Sequence, residues 1–258
     1  MSNVRIAAIL PARMGSSRYP GKPLIDIEGL PMIEHVRRRA LLCDGFSDVI
    51  VATCDKEIFN VIKQFGGEVM MTSSEHIMAS DRVAEAASCL DCTHVVNVQG
   101  DEILVMPNDL KKMMDAIREA PDIPYWNAIA SIEKVEELND LAIVKCVVSR
   151  SGKIIYCARD FTHLGLKEGY EPVRKILGIL AYRRESLFAY GNLQRTSLES
   201  TQFIDQSRII ENDIPLESVP FACGYRGIND PCEEKQVREI LHSDPVQQKI
   251  LSVILSES

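Results

Sequence analysis

Two features are missing from the 258-residue sequence, and each absence excludes a class of protein. No apolar run approaches the roughly 18 residues that a membrane span requires, so the chain is not predicted to cross a membrane. Asp and Glu number 37 against 29 Lys and Arg, and no large basic patch occurs. That balance argues against a nucleic-acid partner or a membrane-surface partner.

A targeting segment is also missing from the first residues. They carry no charged leader, no apolar stretch of signal length and no small-residue cleavage site. We therefore expect the protein to work in the cytoplasm.

Cysteine is present at eight positions, but the spacing does not indicate disulfides. Cys89 and Cys92 have the C-x-x-C spacing, yet a structural zinc site normally needs a second pair or two histidines at similar spacing. The sequence offers no such partner. We expect free thiols, as is usual in a reducing cytosol.

Hydrophobic residues make up 46% of the chain, enough for a sizeable core without covalent staples. Short apolar runs, typical of buried strands, alternate with amphipathic stretches, typical of helices. The predicted strands of the first half are residues 4–10, 48–52, 68–71 and 94–98, and the predicted helices begin near Pro31, at residue 57 and near Ser80. Repeated units of this length predict an α/β fold with a mostly parallel, doubly wound sheet.

The pattern changes after residue 121, where strands are predicted at 142–148, 153–156 and 176–182 with short connections. A last helix is predicted over 233–241. We expect a single domain over 1–258, with a small strand-rich lobe roughly within 142–200.

The segment 11–24 follows the first predicted strand and concentrates positive charge. Arg13, Arg18 and Lys22 supply three cations, and no acidic residue precedes Asp26. The carboxyl ends of strands in an open parallel sheet present their loops to a ligand. In an acidic protein this segment therefore predicts an anion site.

The same segment contains small residues at Gly15, Ser16 and Ser17. They let the backbone approach a ligand closely, so that amide N–H groups meet phosphate oxygens while the cations neutralise a triphosphate. The alternative is an ordinary solvated loop with Gly and Pro turns. The segment matches neither a Walker loop nor the Gly-x-Gly-x-x-Gly dinucleotide turn.

A carboxylate follows the predicted strand 94–98, within the stretch Gln99-Gly100-Asp101-Glu102. A side chain at that strand end projects toward the same crevice as the cationic segment, where a hard divalent cation bridging phosphates must be held. Asp101 is therefore predicted to bind magnesium. The alternative is a turn-forming Gly-Asp pair.

Five segments together resemble a known family: the cationic segment, 31–33, 52–53, 76–82 and 95–102. They are similar to 3-deoxy-manno-octulosonate cytidylyltransferase, also called CMP-Kdo synthetase. The resemblance implies a Rossmann-like nucleotide-diphospho-sugar transferase fold, a homodimer, and magnesium as the cofactor. It also implies transfer of CMP from CTP to an acidic sugar with release of pyrophosphate, for surface polysaccharide biosynthesis.

The resemblance also implies roles for individual residues. The residues expected to bind CTP are Ala12, Arg13, Gly15, Ser17, Arg18, Lys22 and Arg82, with Arg13, Lys22 and Asp101 carrying catalysis. The residues expected to bind the sugar are Gln99, Arg159, Asp205 and Gln206, with Arg159 pairing with its carboxylate.

Two departures from the family's pattern affect these expectations. The second metal carboxylate of the family falls on Asn229, with Asp230 beside it, and we favour a contribution from Asp230. Ile176 and Leu180 stand where the family usually has histidine and tyrosine, both sugar-side groups. A different acidic sugar, a sugar phosphate or a phosphonate therefore stays open as the acceptor, as does nucleotide binding without turnover.

Overall fold

The computed structural model describes residues 4–16, 18–164 and 173–256. The strands are β1 (Ile6–Ala12), β2 (Asp26–Ile27), β3 (Leu30–Pro31), β4 (Asp48–Thr53), β5 (Glu68–Met71), β6 (His94–Val98), β7 (Tyr125–Ser131), β8 (Lys145–Val148), β9 (Ile154–Ala158), β10 (Val173–Arg183) and β11 (Leu216–Pro220). The helices are α1 (Met32–Leu41), α2 (Lys56–Gln64), α3 (Ala79–Ser88), α4 (Pro107–Glu119), α5 (Arg184–Tyr190), α6 (Ser197–Gln202), α7 (Gln206–Glu211), α8 (Pro231–Ser243) and α9 (Pro245–Ser256).

The chain divides into two compact units. Unit 1 comprises the described residues of Met1–Met114 and Tyr225–Ser258, and unit 2 comprises those of Asp115–Gly224. The expectation of one domain with a strand-rich lobe at 142–200 stays a prediction.

Four parallel strands of unit 1 lie in the order β6, β1, β4, β5. All seven residues of β1 are buried, as expected for a strand covered on both faces. Helix α1 buries Met32, Ile33, Val36 and Ala40 completely, which are the apolar positions that share one helical face. The predicted α/β fold with a parallel sheet is confirmed.

Strand register brings two loops of unit 1 to the same edge. Strand β1 pairs with β6 through Ile9 and Asn97, and its last residue, Ala12, pairs with Thr53 of β4. The strands are parallel, so the segments that follow Ala12 and Val98 leave at the same, carboxyl edge of the sheet.

The strands of unit 2 are mostly antiparallel. Strand β7 pairs in parallel with β11 and antiparallel with β10, while β8 pairs antiparallel with both β10 and β9. Strand β10 is longer than the predicted 176–182 and has a register shift between Ile176 and Leu180. The sequence pattern did not predict β7, whose apolar run is interrupted by the buried Asn127.

Helix α8 extends the predicted 233–241 at both ends, and the following α9 was not predicted. In the ranges that the structure describes, no helix is long and apolar enough to cross a membrane.

Candidate active site

The loop after β1 folds back on itself through its own backbone. The carbonyl oxygen of Met14 accepts hydrogen bonds from the amides of Ser16 at 2.8 Å and Gly21 at 3.0 Å. The amide of Met14 donates to Oδ2 of Asp55 at 2.8 Å, which anchors the loop to the end of β4. Gly21 has φ of +76°, a left-handed conformation that favours glycine. The turn therefore delivers Lys22 to a fixed place.

The predicted nucleotide residues of this loop differ in exposure. Ala12 is buried, whereas Arg13, Gly15 and Arg18 are exposed. Ser17 lies outside the described residues. The guanidinium of Arg18 donates from Nη2 to Oδ1 of Asn229 at 3.0 Å. The loop thus meets a segment more than 200 positions away in the sequence.

Lys22 and Asp101 form an ion pair at the loop end. Nζ of Lys22 lies 2.6 Å from Oδ2 of Asp101, and each side chain is 16% exposed. Nζ also donates to the carbonyl oxygen of Ile228 at 3.0 Å. The amide of Ile228 donates to the backbone oxygen of Asp101 at 3.2 Å. A Cβ at Gly227 would lie 2.8 Å from that same oxygen, so glycine permits this close approach.

The two candidates for the second metal ligand point to different partners. Asn229 turns its side-chain oxygen to Arg18. Asp230 is the N-cap of α8, and its Oδ1 accepts from the amides of Cys232 at 2.8 Å and Glu233 at 3.0 Å. Capping satisfies amides that have no partner within the helix. Each side chain therefore has an oxygen that accepts from a protein donor, and the preference for Asp230 as a magnesium ligand stays a prediction.

A cavity of about 310 Å³, entirely within unit 1, is lined by the loop after β1 and by the segment that contains Asp101. Its lining residues are Pro11, Ala12, Arg13, Ser16, Arg18, Lys22, Pro23, Met32, His76, Ile77, Met78, Ala79, Arg82, Gln99, Gly100 and Asp101. The structure therefore brings together seven residues predicted for CTP, sugar or metal. Among these lining residues four are Lys or Arg and one is a carboxylate, Asp101, so the described wall favours an anionic ligand.

Arg82 lines this cavity although its residue is only 3% exposed. Its guanidinium donates to Oγ1 of Thr72 and, at 3.4 Å, to Sγ of Cys54. These two partners were not predicted, because they follow strands β5 and β4 in separate parts of the sequence. They hold the guanidinium at the cavity wall.

His76 also lines the cavity. Its Nε2 lies 2.5 Å from Oε2 of Glu85, which also accepts from the amide of Ser73 at 2.9 Å. The hydrogen bond from the amide of Ser73 is the main cause that holds the pKa of Glu85 below its ordinary value, and the hydrogen bond with His76 acts in the same direction. A carboxylate at this position orients the imidazole, and α3 supplies it nine residues after the histidine.

In unit 2 the side chain of Arg159 donates to backbone oxygens. Its Nε bonds to Gln202 at 2.9 Å, Nη1 to Leu141 at 2.8 Å and Nη2 to Phe203 at 3.4 Å. The backbone oxygen of Arg159 in turn accepts from Nζ of Lys145. Arg159 thereby joins the ends of three segments of unit 2.

The two other predicted sugar residues of unit 2, Asp205 and Gln206, lie where α7 begins. Asp205 is the N-cap residue, and its backbone oxygen accepts from the hydroxyl of Tyr190 at 3.2 Å. The buried amide of Gln206 donates to Oδ1 of Asn127 at 2.8 Å. Asn127 also donates to the backbone oxygen of Leu177 at 3.0 Å, so this polar pair fixes the irregular stretch of β10.

Ile176 and Leu180 flank that irregular stretch. Ile176 is half-buried and Leu180 is 6% exposed. Leu180 lies opposite Asn127 across the β7–β10 ladder. Both positions are therefore apolar members of a packed strand, and Leu180 lies opposite Asn127, whose pairing with Gln206 was not predicted.

A family model described as Cytidylyltransferase matches residues 7–217. The chain belongs to the cytidylyltransferase family. The match begins in β1 and ends in β11, so it includes the cationic loop, Asp101 and the strands of unit 2. Residues 227–230, which meet Asp101 and Arg18, lie beyond it.

Curated cytidylyltransferases with two acceptor names resemble this chain to a similar degree. A 3-deoxy-manno-octulosonate cytidylyltransferase from Syntrophus aciditrophicus is 35% identical over 242 residues, covering 92% of this chain and 97% of the relative. An 8-amino-3,8-dideoxy-manno-octulosonate cytidylyltransferase from Shewanella pealeana is 34% identical over 232 residues, covering 88% and 95%. Sequence identity thus does not separate the two acceptors.

A solved cytidylyltransferase structure matches the fold over nearly its whole length. It is CMP:2-keto-3-deoxy-manno-octonic acid synthetase complexed with CTP, with TM-score 0.85, 31% identity, and coverage of 93% of this chain and 99% of that one. A glucose-1-phosphate thymidylyltransferase from Bacillus anthracis matches with TM-score 0.66 at 14% identity and covers 92% and 96%. The second match shows only that the fold is shared with nucleotidyltransferases.

Proposed function

We propose that this protein transfers CMP from CTP to an acidic 3-deoxy-octulosonate sugar and releases pyrophosphate, in the supply of sugars for surface polysaccharide. The observation that carries the proposal is the cavity of unit 1, where the cationic loop and Asp101 face the same space. The assignment of CTP as the nucleotide rests on membership of the cytidylyltransferase family. The proposed class of acceptor is inferred from the names of the relatives, which are octulosonate cytidylyltransferases.

The loop after β1 is proposed to hold the triphosphate. Arg13, Arg18 and Lys22 line the cavity and place positive charge where the phosphate oxygens would lie. The leaving pyrophosphate gains negative charge as the bond to the α-phosphorus breaks. Fixed cations at that place stabilise the transition state, since they need no rearrangement when the charge develops.

Magnesium is proposed to bind at Asp101. Magnesium prefers oxygen ligands and is usually held by one or two carboxylates together with substrate phosphates. Within the described ranges no cluster of three or more His, Cys, Asp or Glu side chains suits a metal, which agrees with a site completed by phosphate. Asn229, beside the loop, offers a neutral oxygen. When bound, the ion neutralises charge on the reacting phosphate.

The chemistry of the step is an in-line displacement. A hydroxyl oxygen of the sugar attacks the α-phosphorus of CTP, the bond to the pyrophosphate oxygen breaks, and the hydroxyl proton is lost to solvent. No covalent intermediate with the protein is needed. The task of the chain is to position the two substrates and to balance charge.

The residues proposed for the acceptor remain those that the family resemblance implies: Gln99, Arg159, Asp205 and Gln206. Ile176 and Leu180 cannot form hydrogen bonds through their side chains, so sugar hydroxyls facing them would lose partners at about 1–3 kcal/mol each. We therefore expect Kdo to be used less efficiently than another acid of this class. The 8-amino sugar named in a relative is the first to compare.

The test is a pyrophosphate-release assay with CTP, magnesium and a panel of acids: Kdo, its 8-amino analogue, other acidic sugars, sugar phosphates and phosphonates. The proposed function requires release that depends on both CTP and an octulosonate. Faster turnover with ATP in place of CTP would contradict the nucleotide assignment. Kdo as the best acid of the panel would contradict the inference from Ile176 and Leu180.

We also propose that the protein is a cytosolic homodimer. Unit 2 exposes large apolar side chains, including Phe203 at 81%, Leu141 at 61% and Ile155 at 52%, a distribution that suits a protein interface. Light scattering after gel filtration measures the mass. A concentration-independent monomer, or recovery with membranes on fractionation of the source cells, would contradict this proposal.

A further inference from the structure

Tyr19 belongs to the loop after β1 that is proposed to hold the triphosphate, here called the phosphate loop. The proposed reaction does not use this side chain. It follows Arg18 and precedes Lys22 by three residues, but it is not among the described residues that line the cavity. Its hydroxyl donates instead to Oε2 of Glu234 in helix α8 at 2.6 Å. The loop is therefore tied to a helix by a side chain that lies between Arg18 and Lys22 in the sequence.

Glu234 is itself held in place from the opposite side. Its Oε1 accepts from Nε of Arg238 at 2.9 Å and from Nη2 at 2.7 Å. Nη2 of Arg238 also donates to the backbone oxygen of Asp26 at 2.6 Å, and Nη1 lies 3.4 Å from Oε1 of Glu28. The acceptor of the Tyr19 hydroxyl is thus fixed by α8 and by the hairpin that follows the loop.

Ionisation strengthens this contact. The hydrogen bond to Glu234 is the main cause that raises the pKa of Tyr19, and the same bond is the main cause that lowers the pKa of Glu234. A neutral phenol therefore donates to a carboxylate at neutral pH. Hydrogen bonds with one charged partner are shorter and stronger than neutral ones.

Backbone hydrogen bonds connect Tyr19 to the rest of the phosphate loop, including Lys22. The amide of Tyr19 lies 3.3 Å from Oγ of Ser16, and its carbonyl oxygen accepts from the amide of Lys22 at 3.2 Å. Arg18 is held on its other side by Asn229. Fixing the ring of Tyr19 therefore restricts the backbone that carries both Arg18 and Lys22.

We propose that Tyr19 and Glu234 are positioning residues of the phosphate loop, which hold Arg18 and Lys22 at the spacing that a triphosphate needs. This inference rests on the proposed function. Without the hydrogen bond the loop must be ordered when the nucleotide binds, and that cost lowers the affinity for CTP. Tyr19→Phe leaves the proposed acceptor residues, including Gln99, unchanged, so the KM for the acceptor should change less than the KM for CTP.

The experiment compares Tyr19→Phe with Tyr225→Phe. The hydroxyl of Tyr225 also donates to a carboxylate of unit 1, Oδ2 of Asp244, at the same 2.6 Å, so both variants lose one Tyr–carboxylate hydrogen bond. For Tyr19→Phe we expect KM for CTP to rise roughly fivefold to tenfold, with kcat and the acceptor KM changed less than about twofold. Both variants should lower Tm by a similar amount. Tyr225→Phe should leave the KM for CTP, the KM for the acceptor and kcat within about twofold of the wild type.

Glu234→Gln sharpens the assignment because its amide oxygen can still accept from Tyr19. Its KM for CTP should rise less than that of Tyr19→Phe, and the double variant should match Tyr19→Phe alone. Additive effects in the double variant, or equal KM values in Tyr19→Phe and Tyr225→Phe, would overturn the proposal.

Titration with inorganic triphosphate separates this proposal from the proposed function. If no acid supports pyrophosphate release, the proposed function fails, but triphosphate should still bind the wild-type loop more tightly than the Tyr19→Phe loop. Equal affinities, or no binding of triphosphate to the wild type, would overturn the positioning role.

Discussion

Three cations of the phosphate loop in unit 1 line an open cavity, whereas Arg159 in unit 2 donates to three backbone oxygens of its own unit. These three cations face the cavity, although Lys22 is paired with Asp101 and Arg18 with Asn229. Arg159 is committed to joining chain segments, and Gln206 is paired with Asn127. The proposed phosphate site thus consists of cations at a cavity wall, whereas Arg159 and Gln206 belong to a hydrogen-bonded scaffold within unit 2.

The largest effect is expected for Asp101→Asn, which keeps the shape of the side chain and removes its charge. Both the proposed metal site and the partner of Lys22 depend on that charge. Loss of one electrostatic contribution at the reacting centre lowers turnover by roughly a hundredfold to a thousandfold. Steady-state pyrophosphate release at saturating CTP measures it. Asp91→Asn, in the exposed pair with Arg5, is the control, and equal rates in the two variants would remove Asp101 from the site.

An acid-dependent loss of stability is expected from His35, which is fully buried in α1 of unit 1. Its Nε2 lies 2.5 Å from the backbone oxygen of Ile27, while Nδ1 is buried without a partner in the part of the chain that the structure describes. Burial is the main cause that lowers the pKa of His35 to about 4. The folded state thus disfavours the protonated ring.

The unfolded chain takes up this proton near the ordinary pKa of histidine. The contribution of His35 to stability is therefore present above about pH 6.5 and is lost as the pH falls toward 4. Over that range the wild type should lose about 3 kcal/mol of its free energy of unfolding, and His35→Gln should not show this loss. Urea unfolding at several pH values measures it, with the exposed His242→Gln as control. Parallel curves for wild type and His35→Gln would contradict the expectation.

Next in size is the effect of Lys22→Met on the nucleotide side. A charged contact to phosphate contributes about 1.5–3 kcal/mol, so kcat/KM for CTP should fall roughly tenfold to hundredfold. Arg13→Met, which removes an exposed cation of the same cavity, should act in the same direction. Arg5→Met removes a cation from the surface pair with Asp91 and should leave kcat/KM unchanged. Unchanged kinetics in Lys22→Met would make the loop an ordinary surface turn.

A smaller effect is expected for Arg159→Met, which tests whether this arginine binds the sugar or only joins chain segments of unit 2. If Arg159 pairs with the sugar carboxylate, KM for the acid should rise about tenfold, while KM for CTP stays within about twofold. If it serves only the scaffold, Tm should fall and neither KM should change. Differential scanning fluorimetry beside the two KM measurements separates these outcomes.

The smallest effect is expected for Asp230→Asn. Asparagine is as good an N-cap as aspartate, so this variant keeps the cap of α8 and removes the charge. The magnesium concentration for half-maximal rate should therefore stay within about twofold of the wild type. A large increase in that concentration would restore Asp230 as a magnesium ligand.

The α/β fold and the proximity of the loop after β1 to Asp101 could be predicted from the sequence, because their signals are local. Strand β1 is one apolar run, and Arg13, Arg18 and Lys22 follow it within ten residues. Asp101 follows another buried strand at once. Parallel strands present these segments at the same edge, so order along the chain predicts proximity in space.

Only the tertiary structure could decide contacts between residues far apart in the sequence. The different partners of Asn229 and Asp230 depend on the start of α8, where one side chain turns to Arg18 and its neighbour caps the helix. The contacts of Tyr19 with Glu234 and of Asn127 with Gln206 join residues 215 and 79 positions apart. Polar side chains of this kind carry no periodic pattern, and their partners are selected by how the strands and helices pack rather than by spacing along the chain.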